Sequence, residues 1–440
     1  MSSQVLADIV SIDSTAARWS LGKRVVFRFC VLYFALFCLS TQIITSLIAI
    51  PKVELPDPSS LPPLRPIIGW TAAHIFHLAS SAPGFFQETG SGDRPCDWVL
   101  LFCLLVLAVL GTLLWSALDR RRAAYHALQK WCWFFFLYCL AGQMLVYGFA
   151  KIIPLQMPFP RLFQLIEPIG NQSPMGILWN SIGASPAYEI FAGSAELLGG
   201  LLLLIPATRT LGALVCLADM LQVFMLNMTY DVPVKILSFH LILLALLLLV
   251  PDSRRILNFF FLRRPVDMPV RRPLFRSAAA NHLAAAAQIV FVLWLLGNQV
   301  YGGRAAWKQF GGGVPRPVLY GIWDVQQFAV DGQIKPPLLT DSTRWRRIVF
   351  DVLNRAMVQH LDDSTVFYTD SMDAKTLTLT TPGAATKSTF TWQRSSPDRL
   401  ALDGSMGGHN IHAELALHDR QQFLLVSRGF HWVQQFPYGR

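Results

Sequence analysis

The stretch Tyr188–Leu204 reads Tyr-Glu-Ile-Phe-Ala-Gly-Ser-Ala-Glu-Leu-Leu-Gly-Gly-Leu-Leu-Leu-Leu, and it opens a series of three apolar runs. A short loop around Arg209 separates it from the second run, and residues 230–235 (Tyr-Asp-Val-Pro-Val-Lys) separate the second from the third. Runs of about 20 apolar residues are long enough to cross the hydrocarbon layer of a bilayer. The segment therefore predicts consecutive transmembrane helices, and the chain is interpreted as a polytopic membrane protein.

Composition and charge distribution agree with this interpretation. The chain has 440 residues, of which 53% are hydrophobic and 15% are charged, whereas soluble domains carry about 25% charged residues. The net charge is +10, but arginines cluster between the apolar runs, as expected of cytoplasmic loops. These arginines are Arg120, Arg121, Arg122, Arg254, Arg255, Arg263, Arg264, Arg271, Arg272 and Arg276. The distribution argues against a nucleic-acid partner and for membrane lipids.

Hydropathy predicts seven spans, and a five- or six-span version stays open if the alanine-rich last segment is misread. The spans are Val25–Ile50, Trp98–Leu118, Trp131–Ala150, Tyr188–Ile205, Leu211–Met228, Val234–Val250 and Leu283–Tyr301. Residues 1–24 are predicted to be cytoplasmic, and residues 25–301 form the transmembrane domain. The arginine clusters favour a multi-pass orientation with the N-terminus inside, so an odd number of spans leaves the C-terminal region on the outer side of the membrane.

After Tyr301 the pattern changes. Glycines and prolines in residues 302–318 predict a linker, and residues 319–440 alternate polar and apolar side chains, as in Thr376–Thr380 (Thr-Leu-Thr-Leu-Thr). Period-two alternation with regular turn signals is typical of half-buried antiparallel strands. Eight to ten strands are predicted, enough for an all-β domain that is either an up-and-down barrel or a sandwich.

Ionisable residues in the spans are the first functional candidates, because each costs roughly 2.5–3.5 kcal/mol at membrane depth on insertion scales. Glu189 and Glu196 are seven residues apart and share a helix face; Asp219 lies in the fifth span and His240 in the sixth. If these helices pack together, Glu196, Asp219 and His240 converge on a polar cleft that conducts protons or binds a quinone headgroup. The alternative is that they pair internally and specify helix packing.

Other polar residues carry less specific signals. Lys151 and Lys235 fall at the predicted outer boundary of the membrane, where lysines extend to the lipid headgroups. Seven cysteines contain no Cys-x-x-Cys pair, which argues against a dithiol redox centre. His74 and His77 lack an acidic residue or third histidine nearby, so an interfacial helix is favoured over a metal site, and no metal ligands are predicted.

Two motifs of the membrane core resemble the DoxX family of bacterial membrane proteins. Gly148-Phe-Ala-Lys151 ends the third span, Glu196-Leu-Leu-Gly-Gly-Leu-Leu lies in the fourth, and Thr208-Arg-Thr follows in the loop. The resemblance covers residues 131–251 and implies a four-helix core, as in larger DoxX-like proteins with extra spans and a soluble tail. DoxX proteins are linked to thiosulfate–quinone oxidation and membrane redox complexes, although most have no assigned activity. The resemblance therefore implies a quinone as cofactor or substrate and redox proteins as partners.

The β domain opens with Tyr320-Gly-Ile-Trp323, whose Gly-x-Trp resembles the first-strand motif of lipocalins and other calycins. In that family the tryptophan closes the barrel floor against an arginine from a late strand. The resemblance implies this role for Trp323 and makes Arg428 its partner, with a cation–π contact contributing about 0.5–2 kcal/mol. A purely structural domain without a ligand is the alternative.

These observations favour a DoxX-like integral membrane protein that is quinone- or redox-associated and carries a periplasmic β domain. The alternatives are a non-enzymatic carrier of a lipophilic ligand, which the barrel receives, and a scaffold for other membrane proteins. Whether the chain is an enzyme stays open. Glu196→Gln distinguishes the first two readings, because a proton-coupled redox role needs the carboxyl and ligand transfer does not.

Overall fold

A computed structural model describes residues 18–439 except 49, 51–52, 54, 57, 83, 267–273, 276, 382 and 384–385. Residues 1–17 of the predicted cytoplasmic segment lie outside the described residues, as do Arg271, Arg272 and Arg276. The chain forms two compact units. The first, here called the membrane unit, comprises Met1–Gln156 and Ala187–Ala305; the second, called the β unit, comprises Met157–Pro186 and Ala306–Arg440.

The membrane unit is helical. Its helices are α1 (Leu21–Ser40), α2 (Gln42–Leu47), α3 (Leu64–His74), α4 (Pro95–Leu118), α5 (His126–Ile152), α8 (Pro186–Leu204), α9 (Arg209–Thr229), α10 (Lys235–Leu249), α11 (Ser253–Ile256) and α12 (Ala278–Gln309), which runs on into the β unit. A 3-10 turn at Val250–Asp252 joins α10 to α11, and a π-helical turn at Leu257–Phe261 follows. The next two helices in chain order, α6 and α7, lie in the β unit and are described with it.

Within the described residues, six helical segments are long and apolar enough to cross a membrane, one fewer than predicted. They are Pro95–Leu118, His126–Ile152, Pro186–Leu204, Arg209–Thr229, Lys235–Phe261 and Ala278–Gln309. The predicted first span is divided, because the extended backbone of Thr41 (φ −127°, ψ 175°) separates α1 from α2. The 20 residues of α1 also include the basic residues Lys23, Arg24 and Arg28, more charged side chains than the apolar stretch of any of the six segments contains. A multi-pass helical bundle is confirmed.

The basic residues of α1 donate hydrogen bonds to backbone carbonyls at the C-terminal end of α4 and in the loop that follows it. Arg28 is 1% exposed, and its Nη2 donates to the carbonyl of Asp119 at 2.7 Å while its Nε donates to the Tyr125 hydroxyl at 2.9 Å. Arg24 donates to the carbonyls of Arg120 and Arg122 at 3.1 and 2.9 Å. The last carbonyls of a helix lack intrahelical partners and attract cations, so α1 caps α4.

The last helix is longer than predicted. It continues through Gly302 and Gly303 to Gln309, so the linker prediction that began at residue 302 is wrong for its first eight residues. Gly303 lies directly against the side chain of Ile153, where a Cβ would collide. Of the 32 residues of α12, only Leu295 is buried, which leaves its apolar surface for lipid.

The β unit contains a closed antiparallel barrel. Its strands are β1 (Gly321–Val330), β2 (Gln333–Ile334), β3 (Trp345–Val352), β4 (Arg355–His360), β5 (Thr365–Met372), β6 (Thr376–Thr380), β7 (Lys387–Ser396), β8 (Arg399–Met406) and β9 (His409–Leu417). The order β1-β3-β4-β5-β6-β7-β8-β9 closes through pairing of β1 with β9, and the two-residue β2 is a hairpin extension of β1. The barrel alternative is therefore confirmed over the sandwich.

Large side chains fill the barrel. Trp323, Trp345, Phe350 and Phe390 are at most 2% exposed, and the Trp345 ring lies 5.7 Å from that of Phe390. Small barrels are commonly filled by interior side chains in this way. The axis of this barrel is thus occupied by its own core.

A segment between α5 and α8 packs on the outside of the barrel. It contains α6 (Leu162–Ile166) and α7 (Pro174–Gly183), which the sequence-based boundaries assign to the transmembrane domain. Leu162 clusters with Ile322 and Val349, and its backbone N–H donates to Asp351 Oδ2 at 3.0 Å. Burial raises the pKa of the Asp351 carboxyl, although that hydrogen bond and nearby arginines oppose the shift. The short helix α13 (Leu424–Ser427) lies near the C-terminus.

Candidate functional site

A buried ion pair joins the two motifs on which the DoxX resemblance rests. Lys151 lies in the last turn of α5 and Glu196 in the middle of α8, and the Lys151 ammonium contacts Glu196 Oε1. Their side chains are 8% and 2% exposed. A lone buried charge is strongly unfavourable, whereas a hydrogen-bonded pair is tolerated. The interpretation of Lys151 as a residue extending to lipid headgroups is therefore corrected.

Glycines allow the two helices to approach closely enough for this pair. A Cβ on Gly193 would lie 2.6 Å from the carbonyl oxygen of Gly148 and 2.6 Å from Cβ of Lys151. A Cβ on Gly148 would lie 2.9 Å from both the Gly193 oxygen and the Leu197 nitrogen. Real Cβ atoms do not sit at such distances. Small residues at membrane helix interfaces generally serve this close approach, so the Gly-x-x-Lys and Gly-x-x-Glu spacings have a packing reason.

Asp219 approaches the same pair from α9. It interacts electrostatically with both Glu196 and Lys151. Close contact between α8 and α9 again depends on glycine, since a Cβ on Gly199 would lie 2.8 Å from Cys216 Sγ. Among the described residues, the buried Oε2 of Glu196 and Oδ2 of Asp219 accept no hydrogen bond. Asp219 thus lies within electrostatic range of the Lys151–Glu196 pair, and its convergence with Glu196 on one polar cleft stays a prediction.

Glu189 and His240 occupy other surroundings. Glu189 is fully buried in the first turn of α8. His240 packs against α1: its Nε2 lies 2.7 Å from the Tyr33 hydroxyl, and its ring stacks on Phe37 with centroids 3.8 Å apart. Its Nδ1 lies 2.6 Å from the Ile236 carbonyl, which can only accept, so Nδ1 carries the proton. The prediction that His240 joins Glu196 and Asp219 is corrected, because the face of α10 that carries it contacts α1.

Lys235 has a local role at the start of α10. Its Nζ lies 3.0 Å from Asp231 Oδ1 and 3.8 Å from Asp93 Oδ2. The carboxylate of Asp93, from the loop before α4, accepts the backbone N–H groups of Lys235 and Ile236 at 2.8 and 2.9 Å. Asp93 therefore supplies the cap that the α10 N-terminus needs.

A partly enclosed cavity of about 340 Å³ lies beside Tyr147, one helical turn before Lys151. The side chains around it come from α1, α2, α4, α5, α10 and the loop 88–94. Gln42 Nε2 donates to the Tyr147 hydroxyl at 2.8 Å. Along α5, this end of the cavity is one helical turn from Lys151 of the ion pair. Sequence reasoning missed Gln42 and Tyr147, although a glutamine inside a predicted span was a visible signal.

In the β unit, Trp323 is buried at the barrel floor but Arg428 does not contact it. Trp323 Nε1 donates to the Leu319 carbonyl at 2.8 Å. The guanidinium carbon of Arg394, from β7, lies 5.5 Å from the Trp323 ring centroid. Arg428 instead lies 4.0 Å from the ring centroid of Tyr438. The assignment of Arg428 is therefore wrong, because β7 supplies the arginine at Trp323 and the Arg428 guanidinium lies over Tyr438.

The described residues contain no group of three His, Cys, Asp or Glu side chains placed to hold a metal ion. The chain is 34% identical over 128 residues to the uncharacterized protein YwoB of Bacillus subtilis (strain 168), a match that covers 29% of this chain and 80% of that protein. The chain therefore belongs to the same family as YwoB. No family model and no solved structure matches the chain.

Proposed function

We propose that the chain is a DoxX-like membrane protein that acts as a quinone- or redox-associated component of a bacterial inner membrane. The observation that carries the proposal is the buried contact of Lys151 with Glu196. These residues come from the two motifs that resemble DoxX, and their contact gives both motifs one shared site. The match to YwoB extends over 128 residues, close to the length of the predicted core 131–251.

The chemistry proposed for this site is proton transfer. Reduction of a quinone to a quinol takes up protons as well as electrons, and a redox partner protein would supply the electrons. A carboxyl that is paired with an ammonium on one oxygen and open on the other can accept or release a proton. Buried carboxyls with a charged partner are found more often at functional sites than elsewhere in proteins. Glu196 is therefore assigned the proton-transfer role, and Lys151 and Asp219 set its charge.

The proposed topology counts α1 as a further span beside the six apolar segments, so that seven crossings leave the N-terminus in the cytoplasm and the β unit in the periplasm. Three contacts pair loops in the way that alternating spans require. Arg24 at the start of α1 contacts the basic loop after α4, Thr210 contacts Asp252 at 2.5 Å, and Asp93 contacts the start of α10. The first two contacts join arginine-rich loops, which favours their cytoplasmic placement. The third joins loops that are then both external.

A carrier that hands its ligand to the barrel has less support. Trp345 and Phe390 are packed together inside the barrel, so a ligand there would have to displace core side chains. Such displacement costs several kcal/mol, since a close-packed interior resists expansion. A ligand of the chain is better placed in the membrane unit.

The proposal is tested on the full chain purified in mild detergent. Small molecules are extracted and identified by mass spectrometry, and an oxidised-minus-reduced absorbance spectrum is recorded from the same sample. We expect a stoichiometric quinone, and we expect Glu196→Gln to keep the quinone but to lose proton uptake on its reduction. A stoichiometric lipid with a flat difference spectrum would contradict the redox proposal.

A further inference from the structure

The cavity beside Tyr147 is amphipathic in its lining. Phe37, Leu100, Leu104 and Leu237, each at most 9% exposed, form apolar walls. Polar groups sit at Gln42, Thr41 and Thr45, and the loop 88–92 contributes a second polar rim. Its volume of about 340 Å³ is at the lower end of the roughly 300–1,000 Å³ typical of ligand pockets. This size suits a compact headgroup rather than a whole long-chain molecule.

The polar end of the cavity is preorganised to donate a hydrogen bond. Gln42 Nε2 donates to the Tyr147 oxygen at 2.8 Å and approaches Gln143 Oε1 at 3.4 Å. Gln143 in turn donates to Ser46 Oγ at 2.7 Å, which fixes the amide orientation. Because the Tyr147 oxygen is already an acceptor, its own hydrogen is left to donate. No hydrogen bond in the described part of the chain uses that hydrogen.

The charge of the lining excludes an anionic headgroup. The guanidinium of Arg94 is held by Asp97, with Nε and Nη2 donating at 2.9 and 2.8 Å, so this pair is neutral overall. The Arg94 Nη1 is engaged by the carbonyl of Gln87 at 3.0 Å. Among the described residues that line the cavity, the remaining charged side chain is Glu88, which repels anions. A neutral headgroup fits this balance.

We propose that this cavity binds a neutral amphiphile through a carbonyl oxygen of its headgroup, which accepts the hydrogen of the Tyr147 hydroxyl. The Gln42 amide holds that hydroxyl in place, and Phe37, Leu104 and Leu237 contact the apolar body. This site deepens the proposed function and rests on it only for the choice of a quinone as the ligand. A neutral glycerolipid offers the same ester carbonyl chemistry. Tyr147 lies one turn before Lys151 on α5, so the proposed binding site is close along that helix to the Lys151–Glu196 pair.

The test measures binding of two probes to the full chain in detergent: a decyl-substituted benzoquinone and a short-chain diacylglycerol. The variants are Tyr147→Phe and Gln42→Leu. Tyr138→Phe is the matched control, because Tyr138 is also buried on α5 and its hydroxyl makes no hydrogen bond among the described residues. Thermal melts establish that each variant is folded.

We expect Tyr147→Phe to weaken binding of the benzoquinone about three- to tenfold, as loss of one hydrogen bond does. Tyr138→Phe should bind the benzoquinone as the wild type does. If only the diacylglycerol binds, with the same sensitivity to Tyr147→Phe, the carbonyl site stands and the quinone is removed from the proposed function. If a probe binds Tyr147→Phe and the wild type equally, or neither probe binds, the site is overturned. Proton uptake in Glu196→Gln then still tests the proposed function separately.

Discussion

Removing either partner of the Lys151–Glu196 pair leaves an uncompensated charge in the interior of the membrane unit. The side chains are 8% and 2% exposed, so solvent screens the remaining charge little. We expect Lys151→Met and Glu196→Leu each to destabilise the folded chain by about 3–5 kcal/mol. The double variant replaces both charges by apolar groups, and such replacements are neutral or stabilising by about 1–4 kcal/mol. The two single losses should therefore largely cancel in the double variant.

The assay is a double-mutant cycle of unfolding free energies for the full chain in mixed micelles, followed by tryptophan fluorescence during denaturing-detergent titration. Arg122→Met is the matched control, because the side chains of Arg122 and its partner Asp119 are 60% and 32% exposed and exposed pairs contribute about 0–1 kcal/mol. Single losses of less than about 1 kcal/mol that simply add in the double variant would refute a buried coupled pair.

Three further predictions concern packing, pH and barrel closure. Gly193→Ala should lower the free energy of unfolding by about 1–3 kcal/mol, because its Cβ would meet backbone at 2.6 Å. The control Gly297→Ala, at a helical position with nothing within 4 Å, should stabilise the chain by up to about 1 kcal/mol. Equal effects of the two variants would contradict the close crossing of α5 and α8. Burial raises the pKa of Asp370, so protonation favours the folded barrel and stability should fall as pH rises from the ordinary aspartate pKa through the raised one. Asp370→Asn should accordingly slow hydrogen exchange of barrel peptides at neutral pH and have little effect at acid pH; a pH-independent effect would count against the buried carboxyl. Arg394→Ala should speed exchange of β1 peptides, by the loss of about 0.5–1 kcal/mol, and Arg428→Ala should not; the reverse order would restore the sequence-based pairing.

Helix and strand periods were the reliable part of the sequence. Apolar runs predicted the helices that contain Glu196, Asp219 and His240, and alternation in Thr376–Thr380 predicted an inward and an outward face, which the buried Leu377 and Leu379 confirm. These patterns depend only on local geometry. Most observed helix bounds differ from the predicted ones by a few residues, because a run of apolar residues does not mark where a helix begins.

The partners of the polar residues were not predictable in the same way. A helical period places a residue on a face, but which faces meet is decided by tertiary packing. Gly148 and Gly193 allow the close helix contact that places Lys151 beside Glu196. His240 packs instead against Phe37 and Tyr33 of α1. The break at Thr41 falls on the polar triplet Ser40-Thr41-Gln42, a short interruption of an otherwise apolar run that hydropathy averaging over a whole span does not register. Likewise, an arginine late in the sequence was a weaker guide to the partner of Trp323 than the position of β7.

The assignment of proton transfer to Glu196 is best tested by a redox-induced infrared difference spectrum of the quinone-loaded chain, compared with that of Glu196→Gln. We expect a carboxyl C=O stretching band that changes when the quinone is reduced, because Glu196 exchanges a proton in that step. In Glu196→Gln this band should be missing while the quinone bands remain. A carboxyl band that is identical in the variant, or quinone reduction without any carboxyl change, would contradict the claim that Glu196 is the proton-transfer group.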